Sequence, residues 1–506
     1  MKSLRIAAFA AAFGMLASGA VAQTTLRIGL AEDPDILDPT LARTYVGRIV
    51  FSAICDKLFD INEKLEIVPQ LATGYTVSPD GESVTIKLRQ GVKFHDGETF
   101  DAEAAKFSLE RHLTMQGSFR KPEIAQIDRI EVVDPLTIRL ALKAPFSPLM
   151  AQLTDRAGMM VSPKAAKETG DKFGLKPVCA GPYKFVERVQ QDRIVVEKFA
   201  DYWNKDNVHI DRVVYLPIVD STVRLANLRA GSLQMVERFL ATDVKTVKED
   251  KRLKMVSAID LGYQGLTLNL ANGPKADNPL GKSAKVRKAF ELAIDRDAIN
   301  QVVFNGEFLV GNQWINPRNP YYQQSVPVPK RDVAKAKALL KEAGVTGRVE
   351  LDFMVTNNPE TRQIAEMLQS MMAEVGFDLK IRVTEFATAL KEAEDGNFQV
   401  FLIGWSGRTD PDGNLYVFVT CNAPQNNGKY CDPKTDEEVK KARVASDLAE
   451  RKKIYEPATK RLVGDNEGPI IYLYHRGILT AYTEKLEGYT QLPDGLIRLV
   501  GLKLKP

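Results

Sequence analysis

Hydrophobic positions along this chain switch repeatedly between a period of two and a period near 3.6. In SVTIKLRQGVKF, Val84, Ile86 and Leu88 alternate with polar residues, which predicts a half-buried strand. IDRIEVVDPLTIRLALK predicts a hairpin with Asp134 and Pro135 at its turn and Ile138, Leu140 and Leu142 on one face. PYKFVERVQQDRIVVEKF predicts another, turning near Gln191 and Asp192. TLRIGL, residues 25–30, has strand character, and Asp38 before Pro39 reads as a helix N-cap with proline at the first helical position. Val286, Ala289, Phe290, Ala293 and Ile294 recur at helical spacing and form one buried stripe. Asp295 and Asp297 open a second helix that Asn305 and Gly306 end. Residues 331–343 before Gly344, and the segment from Asn358-Pro359 to Gly376, predict two more. Strands interleaved with helices throughout make the chain α/β.

Composition and charge narrow the class. A chain 44% hydrophobic and 26% charged packs cores rather than staying disordered. Lys2 and Arg5, an apolar run from Ile6 to Leu16 and a small-residue end at Ala20-Val21-Ala22 describe a secretory signal peptide over residues 1–22. The apolar run is short of the roughly 20 residues that span a bilayer. With no cysteine after the cleavage site, the expectation is a soluble periplasmic protein without a lipid anchor. Removing the leader lowers the net charge from +4 to +2, which gives no basis for binding nucleic acid or a membrane surface. The remaining length suggests about three structural units at roughly 150 residues each. Cys421 and Cys431 flank NAPQNNGKY, a loop rich in Asn, Gly and Pro, and are expected to pair across it. Cys55 with Cys179 then follows by elimination, the alternative being four buried thiols.

Several catalytic or metal motifs almost form and then fail. ADNPLGKS (276–283) resembles a phosphate-binding loop, but Ala276 replaces the first glycine and Pro279 removes a backbone donor. Gly404-Trp405-Ser406-Gly407-Arg408 misses the nucleophile elbow at its last position. Counting a calcium loop from Asp410 puts Leu415 and Cys421 where glycine and glutamate are required. His95-Asp96-Gly97-Glu98 reads as a turn, with Asp101 capping the next helix. No convincing catalytic set remains, so no enzyme, metal or cofactor is expected.

Four segments, residues 71–111, 180–203, 286–299 and 468–475 (GPIIYLYH), together resemble the periplasmic solute-binding proteins of ABC importers, in the family of peptide-, opine- and nickel-chelate-binding members. The resemblance implies two lobes joined by a hinge of two chain crossings. Residues 24–58, 180–262 and 477–506 would build lobe I, 59–179 an inserted subdomain of it, and 263–476 lobe II. A monomer would capture solute between the lobes and deliver it to a membrane permease. In peptide-binding members the tryptophan of the GW motif lines the cleft, and the third residue beyond it is an aspartate that holds the ligand's ammonium. Here these positions are Trp405 and Arg408, a reversed charge. Val355 stands near the place of the arginine that holds a dipeptide's carboxylate. The resulting expectation is a small peptide-like or opine-like solute with an anionic group, stacked on Trp405 and paired bidentately with Arg408. Ser406 and Asp410 lie beside them, and Glu32, Asp33 and Tyr45 are expected to face the ligand from lobe I. The alternatives are an internal pair of Arg408 with Asp410 or Asp412, Trp405 as core, and Trp314 as a second cleft aromatic. At the level of function they are an ordinary peptide, a metal chelate held near His475, and last a periplasmic hydrolase.

Overall fold

The computed structural model describes residues 23–505; the leader expected over 1–22 lies outside the described residues. Strand pairing divides the chain among three larger sheets. The first has the order Leu253–Ile259, Gly477–Thr483, Met235–Glu237, Thr25–Leu30, Arg212–Pro217, Arg193–Lys198 and Tyr183–Val189. The second runs Leu309–Val310, Ile470–His475, Tyr263–Leu268, Val400–Trp405, Val349–Thr356 and Phe377–Thr384. A four-stranded antiparallel sheet, with strands between Ala72 and Leu142, belongs to neither and has its own core around Phe94, Phe100 and Leu140. Among the described residues two crossings join the first two sheets: residues 260–262, and Arg476 between His475 and Gly477.

Both hairpins form as the alternation predicts, Ile127–Asp134 with Thr137–Leu142 and Tyr183–Val189 with Arg193–Lys198. The helices Ala284–Leu292, Arg296–Phe304, Val333–Glu342 and Pro359–Val375 fall where the period of 3.6 puts them. Asp38 is a correction. The helix begins at Tyr45 under a Thr44 cap; Asp38 closes only a single turn, its Oδ1 accepting from Thr40 N at 2.9 Å while both terminal nitrogens of Arg111 hold the carboxylate at 2.9 and 2.6 Å. Both disulfides form, Cys421–Cys431 and Cys55–Cys179. The second ties the end of the helix Tyr45–Ile54 to the segment returning from the four-stranded unit, so it closes that insertion at its root. Among the described residues no helix is long and apolar enough to cross a membrane.

Candidate functional site

The strand Val400–Trp405 is buried for most of its length, flanked by Tyr263–Leu268 antiparallel and Val349–Thr356 parallel. An apolar run covered on both faces is what such a central position requires. The strand carries Trp405 to the rim of a cavity between the two large sheets. There Tyr263, Trp405 and Phe418 form an aromatic wall, with Phe418 edge-on to Trp405 at 5.0 Å between centroids. The indole Nε1 donates to Gly413 O at 3.0 Å and Asn414 Oδ1 at 3.1 Å, which fixes the ring. Glu32, Tyr45 and Arg238 face this wall from the first lobe. The empty space, counting the open mouth, is about 1410 Å³.

The two crossings form the cavity's remaining wall and supply its least neutralised charges. Asp260 N donates to Arg476 O at 2.9 Å, and Arg476 N donates to Asp260 Oδ1 at 3.2 Å. Burial pushes the Asp260 carboxyl up to about 7, partly opposed by the Arg476 charge. The Arg476 guanidinium has no acid within 4.0 Å among the described residues, and its buried Nε has no hydrogen-bond partner. The other cations on the wall are neutralised: Arg238 by Glu237 and, at 3.5 Å, Glu32; Arg43 by Glu394 at 3.5 Å.

Of the residues expected from sequence, Trp405, Ser406, Glu32 and Tyr45 line the cavity. Arg408, Asp410 and Asp33 do not, and each is corrected by the same physical reason: an opposite charge elsewhere has taken it. Arg408 is 5% exposed, and its Nε lies 3.1 Å from Asp155 Oδ2 of the inserted unit, with its guanidinium 4.4 Å from the Trp405 ring centroid. Its partner is neither Asp410 nor Asp412. Asp410 is held bidentately by Arg451 at 2.6 and 2.7 Å, and Asp412 by Arg443 at 3.0 Å. Asp33 pairs with Arg188 at 2.9 Å. Trp314 is core, 1% exposed and packed near Tyr455. His475 is buried with Nδ1 2.5 Å from Gly262 O, and burial pushes it down to about 4, so it is neutral and turned from the cavity. Sequence reading missed Arg476 and Asp260. The available signal was position: Arg476 follows YLYH directly, where the resemblance puts a lobe boundary.

Two α/β lobes joined by two crossings around a cavity lined from both sides define a two-lobed periplasmic binding protein. The model of bacterial extracellular solute-binding proteins, family 5 middle, matches residues 66–426. The glutathione-binding protein GsiB of Pectobacterium atrosepticum is 31% identical over 474 residues, covering 91% of this chain and 90% of that protein. The structure of AgaA from A. tumefacien R10 in complex with agropinic acid superposes with a TM-score of 0.86 at 28% identity, covering 95% of this chain and 99% of the other. Periplasmic DppA from Helicobacter pylori in complex with the peptide STSA gives 0.86 at 26%, covering 95% and 98%. The chain belongs to family 5 of the bacterial extracellular solute-binding proteins, the receptors of ABC importers.

Proposed function

We propose that this protein is a monomeric periplasmic receptor that holds an anionic peptide-like or opine-like solute between its lobes and passes it to an inner-membrane permease. It carries out no chemistry on the solute. The observation that carries the anionic reading is Arg476, whose charge on the cavity wall is not matched by an acid within 4.0 Å among the described residues. An incoming carboxylate would replace lost hydration with a charge-assisted pair, while Trp405 would offer a face for stacking. Closure follows because the solute would touch both lobes, and a ligand shifts an equilibrium only by its differential affinity for the two states. The glutathione-, agropinic acid- and peptide-binding relatives fit this class of solute. A second reading, an ordinary peptide, is favoured by Asp260 on the same wall, which could accept an ammonium.

Tryptophan fluorescence titration of the mature protein against opines, glutathione-like peptides, neutral-capped peptides and organic acids tests the reading. Anionic compounds should quench, and Arg476→Gln should weaken them about 30-fold or more, the scale of about 2 kcal/mol for a buried charged hydrogen bond. Equal binding of neutral-capped peptides, unchanged in Arg476→Gln, would overturn it.

A further inference from the structure

Behind the Ser406 wall, outside the solute cavity, four arginines share two acids. Arg48, Arg120, Arg156 and Arg408 are each at most 5% exposed, as are Asp155 and Glu123. Asp155 Oδ2 lies 2.6 Å from Arg48 Nη2 and 3.1 Å from Arg408 Nε, while Arg156 Nε stands 3.6 Å from Oδ1. Glu123 takes Arg120 at 2.6 Å. Neutral acceptors help only in part: Ala42 O accepts from Arg156 Nη1 at 2.7 Å, and Ser406 Oγ from Arg48 Nη1 at 3.0 Å. The Nη2 atoms of Arg156 and Arg408 and the Nε atoms of Arg48 and Arg120 are buried without a hydrogen-bond partner among the described residues. Guanidinium does not discharge by losing a proton in proteins. Two positive charges are thus left over in a desolvated cluster, which is strongly unfavourable without an anion.

We propose that this cluster binds one small halide-sized anion, such as chloride, across the boundary between the lobes. Size follows from burial, since donors this deeply enclosed exclude a large organic acid. Coupling follows from where the donors sit. Arg408 belongs to the lobe containing Trp405, whereas Arg48, Arg120 and Arg156 belong to the other lobe and its insertion. Opening the lobes separates Arg408 from the rest, so the anion binds the closed form. By linkage it tightens solute binding, and solute tightens anion binding. The inference stands whatever the charge of the solute.

The mature protein is heated in sodium chloride, sodium bromide and sodium gluconate at one ionic strength, and crystals grown in bromide are measured at the bromine edge. Chloride and bromide should raise the unfolding midpoint saturably and gluconate should not. An anomalous peak should lie within hydrogen-bonding distance of Arg156 and Arg408 Nη2. Arg408→Gln removes one excess charge and one lobe's donor, and should lose the halide response. Identical midpoints in all three salts together with no bromide peak would overturn the proposal. If Arg408→Gln does not fold, the wild-type peak decides alone.

Discussion

Asp260 gives the cavity a titrating wall. Its carboxyl is raised by burial from the ordinary carboxylate range near 4 to about 7. In the folded protein it therefore keeps a proton that the unfolded chain releases as pH rises above about 4. Stability contributed by this group is present below that pH, is lost between about pH 4 and 7, and stays lost above. Asp260→Asn should stabilise the protein at pH 8, by at most about 4 kcal/mol for a shift of this size, and the gain should vanish toward pH 4. Denaturation midpoints across pH check this. The same proton bears on solute capture, because an ionised Asp260 competes for Arg476. Affinity for an anionic compound should fall as pH rises through about 7 in wild type and stay level in Asp260→Asn. A wild-type affinity that does not change with pH would contradict the assignment. Arg408 shows why such roles were hard to read from sequence. Nothing local in GWSGRTDPDGN tells a guanidinium aimed at a cavity from one aimed at Asp155, which lies far away in the chain on the inserted unit. The reversed charge was legible; its direction was a long-range electrostatic outcome.

At the scale of elements, alternation and caps were enough for both hairpins and for the four helices between Ala284 and Val375, since each is fixed by its own sequence. Asp38 does accept from a local backbone donor, Thr40 N at 2.9 Å, but the single turn it closes is not continued, and the helix starts only at Tyr45 under Thr44. The turn after the strand Val400–Trp405 carries the most demanding local geometry. Gly407 has φ of +75°, and a Cβ there would meet Leu261 C at 2.2 Å and Gly262 N at 2.3 Å, both backbone atoms of the first crossing. The glycine sits between Ser406, which faces the cavity, and Arg408, which does not. Gly407→Ala should lose about 1–2 kcal/mol from the left-handed backbone alone and more from the collision. Because the collision is with the hinge, solute affinity in fluorescence titration should fall along with the unfolding midpoint. A variant with normal affinity and midpoint would show that the crossing can move freely at that point.

On the scale of the whole molecule, the inserted unit supplies Asp155, Glu123, Arg120 and Arg156 to the lobe boundary, so its placement bears on closure. Its core is separate from the two large ones, and its attachment is fixed by the Cys55–Cys179 bond, which spans 124 residues. Cys421–Cys431 spans only 10. Cross-linking removes more entropy from the unfolded chain when the closed loop is longer, growing with the logarithm of its length. The difference between these loops is worth about 2 kcal/mol on that scale. Replacing Cys55 and Cys179 with alanine should therefore lower stability by about 2 kcal/mol more than replacing Cys421 and Cys431. It should also loosen the root of the insertion, so the halide response expected of the arginine cluster should weaken in the first double variant and persist in the second. Thermal unfolding of both variants in chloride and in gluconate separates the two effects: the entropic loss shows in either salt, whereas the positional loss shows only as a smaller gain from chloride. Equal destabilisation by the two replacements, with the chloride gain intact in both, would mean that the insertion is held in register by its packing alone.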